Sequence, residues 1–233
     1  MRERVRKPES LTKTILKFGG SSFGNGPVVD RVLTAARTRL TDVDLQVFLD
    51  TTAHNVLALN RRALDVAFAY LPFESEKTPR FLRLGTIDLV LAVPQNHRLS
   101  SAERISRDEL LKEPFLIGPR SINPPLFDQV HRSLIGRADH PKAVEIADVG
   151  TARFRLVAAG GGITPVALPT ETLLPITGVV YRRVEDPPPT IEYGLVWFDE
   201  HASSAVPAFP DLAREITTET PDPGDGGLLL TEA

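Results

Sequence analysis

Short apolar segments alternate with helix-like segments along this chain, and that alternation limits its fold more than any other feature. Val66–Tyr70 reads VAFAY, an apolar run typical of a strand that is buried on both faces. Between Pro27 and Leu40 the apolar residues recur at helical spacing, and proline suits the first position of a helix. The alternation continues to Thr217 and predicts an α/β fold with mainly parallel sheets.

The other predicted strands share a β-branched or aromatic content and lie between turn residues. They are Thr14–Phe18, Leu45–Leu49, Ile87–Val93, Phe115–Ile117, Val144–Ala147, Ile163–Ala167, Val179–Val184 and Ile191–Phe198. The other predicted helices are one that passes through Leu57 and Leu59, a short one capped by Ser106 and Glu109, and Pro124–Leu134, Thr151–Ala159 and Pro207–Thr217. Together they form two blocks, which suggests two small lobes. Residues 218–233 are rich in proline, glycine and acid, so we predict a disordered tail there.

Composition excludes several classes of protein. The chain has no cysteine, so disulfides, thiolate catalysis and cysteine metal sites are ruled out. Its net charge is −3, and it shows no basic face of the kind that a chain binding DNA by itself carries. The five histidines lack metal-ligand spacing, so we expect neither a metal nor a cofactor. No long apolar run follows the basic N-terminus and none elsewhere is long enough to cross a membrane, so we expect no secretory signal and a cytoplasmic protein.

Two motifs near the N-terminus suggest enzymes. Gly20–Gly24 matches G-x-S-x-G, the turn that presents the nucleophilic serine of α/β hydrolases, and His201 and several aspartates follow it in the required chain order. The overlapping run Lys17–Ser22 reads KFGGSS and is similar to the opening of aspartokinases. Both matches are short. A flexible glycine–serine turn, or an anion site at a helix N-terminus, would explain the same residues.

Two further residues lie where predicted strands end, which is the edge of an open α/β sheet that binds ligands. His54 stands near the start of the helix that follows Leu45–Leu49. Arg120 follows Phe115–Ile117, and an arginine there could hold a carboxylate with two hydrogen bonds. Simple exposure to solvent is an open alternative for both side chains.

Four segments together resemble LysR-type transcription regulators. Leu59–Phe68 (LNRRALDVAF) is similar to the family signature L-x-x-G-x-L-D-[VL]-[AG]-[IF], and Leu84–Leu99 contains a similar LVLAVP run before a histidine. Ile105–Phe115 and Val157–Pro169 resemble two later family segments, in family order and at family spacing. The run Ile117–Val130 is similar to the branch that senses aromatic catabolites, which includes the benzoate and muconate regulators.

The resemblance implies a fold like that of the type 2 periplasmic binding proteins, with two Rossmann-like lobes joined by two crossover strands. Lobe one would cover residues 11–94 and 194–217, and lobe two residues 95–193. A small effector would bind in the cleft between the lobes. Carried onto this sequence, the effector-binding residues are Ser21, Ser22, Thr51, Thr52, His54, Arg120, Ser121 and Thr151. All lie at strand ends or helix starts, where backbone N–H groups favour an anion, so we expect an organic acid.

The resemblance also implies partners. The chain would regulate transcription without doing chemistry, forming dimers by itself and tetramers in a full-length protein. DNA would be bound only through a winged helix-turn-helix domain, which we expect to be absent because Met1–Lys13 alone precedes the first predicted strand. Two alternatives remain at this point. One is a free-standing small-molecule-binding protein of the same fold, against which the missing signal peptide argues, and the other is a serine hydrolase using Ser21 or Ser22.

Overall fold

Ten strands and six helices lie within the residues that the computed structural model describes, which are 14–21, 26–136, 142–146, 152–167, 175–200 and 205–219. The strands are β1 (Thr14–Ser21), β2 (Val43–Asp50), β3 (Val66–Tyr70), β4 (Arg80–Pro94), β5 (Arg104–Ile105), β6 (Phe115–Ile117), β7 (Ala143–Glu145), β8 (Thr164–Ala167), β9 (Val179–Val184) and β10 (Thr190–Trp197). The helices are α1 (Gly26–Arg39), α2 (Thr52–Asn60), α3 (Arg107–Leu110), α4 (Pro124–Ile135), α5 (Ala152–Ala158) and α6 (Ala208–Glu219). Short 3₁₀ helices cover Arg98–Ser101 and Arg120–Ile122.

The strands form two main sheets of mixed direction. In the first, the order is β2-β1-β3-β10-β4, with β1 parallel to β2 and β3 and with β10 antiparallel to both of its neighbours. In the second, β4 pairs antiparallel with β8 and β9, and β5 is parallel to β9. Strands β6 and β7 form a separate parallel pair. Among the described strands, four pairs are parallel and four are antiparallel, so the sheets are mixed and not mainly parallel as predicted. The strands that join the sheets run back against their neighbours, which apolar content alone does not reveal.

Strand β4 belongs to both sheets. Its residues up to Asp88 pair with β10, and from Leu89 onward they pair with β8 and then also with β9. The chain returns from the second sheet to the first through residues 185–189, which lead into β10. The predicted arrangement of two α/β lobes joined by two crossover strands is thus confirmed.

Helices cover the first sheet on both faces. On one face, the rings of Phe18 in β1 and Phe209 in α6 lie 5.3 Å apart between centroids, within a core that also includes apolar residues of α1. On the other face, Leu59 at the end of α2 packs with Leu64, Ala67 and Val196. Burial of these apolar side chains is the main force that holds the layers together. The start of α2 is consequently fixed against the sheet.

Several residues that carry the family resemblance make structural contacts. The Lys17 N–H donates to Asp65 Oδ2 at 2.7 Å, and the Asp65 N–H donates back to the Lys17 carbonyl at 2.9 Å, which joins the turn before β3 to β1. Gly162 has a φ of +145°, and a Cβ there would lie 2.5 Å from the Pro114 carbonyl oxygen. Only glycine fits such a position without strain. Both contacts are therefore structural ones within the fold.

Most predicted elements match the structure to within one or two residues at each end, with β4 as the main exception because it begins seven residues before the predicted Ile87. Ser106 caps α3 through its hydroxyl, which accepts from the Glu109 N–H at 3.3 Å. Helix α6 continues to Glu219, so the segment predicted as a disordered tail begins inside a helix. Its remaining residues, 220–233, lie outside the described part of the chain. Among the described helices, none has the length and apolar character needed to cross a membrane.

Candidate functional site

A cavity of about 190 Å³ lies between the two lobes, at the point where the chain crosses from one to the other. The first lobe contributes Thr51, Thr52 and Ala53 at the start of α2. Leu89 and Ile191 line it from the two crossover strands, β4 and β10. Since the cavity is lined from both lobes, a molecule bound in it would contact both.

Most of the cavity wall is apolar. The second lobe contributes Ile117, Pro119, Ile122, Leu126, Phe127, Val130, Pro165 and Ala167. Apolar walls with a few polar groups are typical of small-molecule sites, and those sites usually measure roughly 300–1,000 Å³. A cavity at or below the lower end of that range accommodates a compact ligand with an apolar body.

Two threonines present hydroxyl groups at the start of α2. Thr51 caps the helix, and its Oγ1 accepts a hydrogen bond from the His54 N–H at 3.3 Å. Thr52 is buried, and its Oγ1 accepts from the Tyr70 N–H at 3.1 Å. A hydroxyl that accepts one hydrogen bond keeps its own proton to donate. The first N–H groups of a helix lack intrahelical acceptors and carry partial positive charge, so this end of α2 attracts an anion.

Arg153 adds a full positive charge to the cavity wall. It lies in the first turn of α5, is partly buried, and lines the cavity. Its guanidinium carbon lies 4.9 Å from the centroid of the Phe154 ring. A guanidinium stays protonated at any physiological pH and can bind a carboxylate through two parallel hydrogen bonds. The sequence analysis did not select Arg153, although its neighbour Thr151 marked this helix start.

Asn123 supplies an amide at the start of α4. Its Oδ1 accepts from the Leu126 N–H at 3.3 Å, as a helix cap does. Its Nδ2 is buried and has no hydrogen-bond partner among the residues that the structure describes. The sequence analysis also missed Asn123, although an asparagine followed by Pro124 and Pro125 is a recognisable helix start.

Of the eight residues predicted to bind an effector, the structure brings Thr51 and Thr52 to the cavity. His54 lies on the outside of α2, 63% exposed, with its Nδ1 2.7 Å from Asp50 Oδ1. Ser121 is exposed and lines a neighbouring groove instead. Ser22, Thr151 and the side chain of Ser21 lie outside the described part of the molecule.

Arg120 does not line the cavity and is bound to an acid on α4. Its Nε and one terminal nitrogen donate to the two carboxylate oxygens of Asp128 at 2.8 and 2.7 Å. These hydrogen bonds lower the pKa of Asp128 and raise the pKa of Arg120. The predicted pairing of Arg120 with a carboxylate is therefore present, but the carboxylate belongs to the protein.

The two enzyme hypotheses gain no support from the described residues. Strand β1 continues without a turn through Gly19 and Gly20 to Ser21, which pairs with Asp50 in β2. A nucleophile elbow requires its serine on a sharp turn after the strand. Ser22 and His201 lie outside the described residues. Within the described ranges, no group of three or more histidines and acids could hold a metal ion.

The structure resembles regulatory domains of known transcription regulators. The benzoate-bound effector-binding domain of BenM superposes with a TM-score of 0.70 at 20% identity, covering 90% of this chain and 96% of that one. The reduced regulatory domain of OxyR from Pseudomonas aeruginosa gives a TM-score of 0.67 at 14% identity, covering 90% of this chain and 100% of that one. At these identities the likeness shows a shared fold.

Comparison with curated protein sequences points to the same class. The regulator TtuA of Agrobacterium vitis is 27% identical over 161 residues, which is 69% of this chain and 53% of that protein. BudR of Raoultella terrigena is 25% identical over 156 residues, covering 66% of this chain and 53% of that protein. The chain thus spans about half the length of these two relatives. The family model of the LysR substrate binding domain matches residues 14–217, and the chain therefore belongs to the LysR substrate-binding domain family.

Proposed function

We propose that this chain is the sensing part of a LysR-type transcription regulator and that it binds a small organic acid in the cavity between its lobes. The observation that carries the proposal is the composition of the cavity wall. It is mostly apolar, and its polar members are the start of α2, Tyr70, Asn123 and the Arg153 guanidinium. An acid with an apolar body matches this wall, because its carboxylate would meet the helix start and the guanidinium.

A ligand in this position would contact both lobes and could therefore change how they are arranged. Thr52 and Arg153 come from different lobes, and Leu89 lies on a strand that joins them. A ligand that binds both lobes favours one arrangement over another by the difference between its affinities for the two. That difference sets how far the ligand can change DNA binding in the full regulator.

The remaining parts of the proposal concern the bounds of the lobes, the oligomeric state and the domain that binds DNA. We propose lobe one as residues 11–94 and 194–217, and lobe two as residues 95–193, with β4 and β10 as crossover strands that both lobes share. We also propose that the chain forms dimers and, within a full regulator, tetramers, and that a helix-turn-helix domain binds the DNA. Phe48 and Leu49, at the end of the edge strand β2, are 48% and 62% exposed and would be covered in a dimer. A regulator of transcription would act in the cytoplasm.

Titration calorimetry with a panel of acids tests the ligand class. The panel contains benzoate, salicylate, muconate and protocatechuate, with simple sugars and amino acids as controls. We expect at least one acid to bind, and Arg153→Met to weaken its binding about tenfold or more. Arg155 lies on the same helix and is exposed, so Arg155→Met should leave affinity within about twofold. Binding of sugars alone, or equal losses in the two variants, would contradict the proposal.

A further inference from the structure

The oxygen and the nitrogen of the Asn123 side-chain amide differ in their hydrogen bonding. The oxygen accepts from the Leu126 N–H at 3.3 Å and so serves as the cap of α4. The nitrogen is buried and has no partner among the described residues. Because the cap fixes the orientation of the amide, the nitrogen is the end that remains to donate. A buried N–H without an acceptor reduces stability, and such groups are rare in native proteins unless water or a ligand satisfies them.

The first three positions of α4 offer a ligand no backbone N–H. Pro124 and Pro125 occupy the first two helical positions and have no N–H. The N–H of Leu126 is already bonded to Asn123. Nearby, Ile122, Leu126 and Phe127 line the cavity with apolar surface. An acceptor beside the first turn of α4 would therefore meet the Asn123 nitrogen and no backbone N–H of that turn.

We propose that Asn123 selects, among compact organic acids, those that carry a second acceptor oxygen besides the carboxylate, such as a carbonyl oxygen. This inference rests on the proposed function, in which α2 and Arg153 bind the carboxylate. An acid with a second acceptor pairs with the Asn123 nitrogen on binding. An acid without one leaves that nitrogen unpaired, and sites with a buried polar group discriminate strongly against ligands that lack the matching group.

Matched pairs of acids test the selection. Cyclohexanecarboxylate is compared with its 3-oxo and 4-oxo derivatives, and benzoate with 3-formylbenzoate and 4-formylbenzoate. Within each set the carboxylate and the ring are the same, and the added group is a neutral acceptor. We expect calorimetry on the unsubstituted protein to show about tenfold tighter binding for at least one carbonyl-bearing acid than for its parent.

Two variants remove the amide nitrogen and keep the helix cap, and only Asn123→Asp leaves no side-chain donor, because a serine hydroxyl keeps a proton that it can donate. Asn123→Ser retains a capping oxygen without charge, and Asn123→Asp retains the shape and replaces the nitrogen with oxygen. The measured quantity is the ratio of the two affinities within a pair. The charge of Asn123→Asp weakens the binding of every acid, and its oxygen also repels a carbonyl oxygen at the place of the lost nitrogen, so neither effect can raise the ratio. We expect the preference for the carbonyl-bearing acid to fall to about onefold or below in Asn123→Asp, while the parent acids bind Asn123→Ser as before.

The outcomes separate this inference from the function on which it rests. If parent acids bind and a carbonyl group gives no advantage, Asn123 does not select and the acid-binding proposal stands. If the advantage persists in Asn123→Asp, another group supplies the donor and the inference is overturned. If no acid of either set binds the unsubstituted protein while sugars do, the acid-binding proposal fails and this inference fails with it.

Discussion

Asn55 in α2 donates a hydrogen bond from Nδ2 to the backbone carbonyl oxygen of Gly20 in β1, at 2.9 Å, and both residues are buried. The bond joins the helix that begins at the ligand cavity to the strand beside it. We expect Asn55→Ala to lower the free energy of unfolding by about 1–3 kcal/mol, because a buried carbonyl loses its side-chain donor. Urea denaturation measures the loss.

Asn60, at the other end of α2, provides the matched control. Within the described residues, its Oδ1 accepts from Ser75 Oγ at 3.3 Å, in a partly buried contact. Asn60→Ala should cost less than about 1 kcal/mol. If the free energy of unfolding fell equally in the two variants, the bond to Gly20 would stabilise the fold no more than the contact of Asn60 with Ser75 does.

Gly162, which lies against the Pro114 carbonyl oxygen, gives a prediction about backbone strain. A Cβ at Gly162 would lie 2.5 Å from the Pro114 carbonyl oxygen, and the φ of +145° is unfavourable for any other residue. Gly136 also has a positive φ, of +70°, but a Cβ there would meet nothing within 4 Å. We expect Gly136→Ala to cost about 1–2 kcal/mol from conformation alone, and Gly162→Ala to cost more because it adds a steric clash. Thermal unfolding of the two variants compares them, and the reverse order would refute this account.

The ion pair of Arg120 and Asp128 predicts a dependence on pH. Hydrogen bonds from Arg120 hold the pKa of Asp128 below its ordinary value of 3.8. A lowered pKa means that the pair stabilises the fold above the ordinary value and ceases to do so as the pH falls through the lowered one. Arg120→Met should therefore raise the pKa of Asp128 toward 3.8, which carbon NMR of its carboxyl group can follow. Because Arg120 lies outside the cavity wall, the variant should leave acid binding within about twofold.

Filling the cavity should block binding without unfolding the protein. Ala167 lies on β8 and lines the cavity, so the added atoms of Ala167→Leu would occupy space that a ligand needs. We expect affinity for any acid found in the panel to fall about tenfold or more, with a change in unfolding free energy below about 1.5 kcal/mol. Ala63→Leu adds the same atoms at an exposed position and should leave binding unchanged. An unaltered affinity in Ala167→Leu would place the ligand elsewhere.

The sequence predicted three strands with the bounds that the structure has, namely β3, β6 and β9. Strands β3 and β6 are buried along their whole length, and β9 is mostly half-buried. Strand β4 was predicted only from Ile87 because Arg80 and Arg83 interrupt the apolar pattern before it. Their side chains are exposed and bind Asp199 and Glu192. A strand that begins with exposed residues gives a weaker signal than a continuous apolar run.

The site was less accessible to sequence reasoning than the fold. Thr51 and Thr52 were found because they combine a strand end with a helix cap. Arg120 was selected by the same logic, but whether it faces a ligand or an acid eight residues later depends on how the loop turns. Arg153 and Asn123 were not selected because their place in the cavity wall comes from the packing of one lobe against the other. That packing brings Asn123 and Arg153 close to α2, although they lie about 70–100 positions after it in the sequence. Local sequence patterns carry no information over such a separation.

The partner change of β4 has a mechanical consequence. The strand is hydrogen-bonded to β10 up to Asp88 and to β8 and β9 beyond it, so each half moves with a different lobe. Sliding one lobe along the other would break the ladders on both sides. A change of backbone twist near Asp88–Leu89 would preserve them, and a small number of residues at such a junction can absorb it. We therefore expect the lobes to respond to a ligand by turning about the direction of β4, so that atoms far from this strand travel farthest and those beside it scarcely shift.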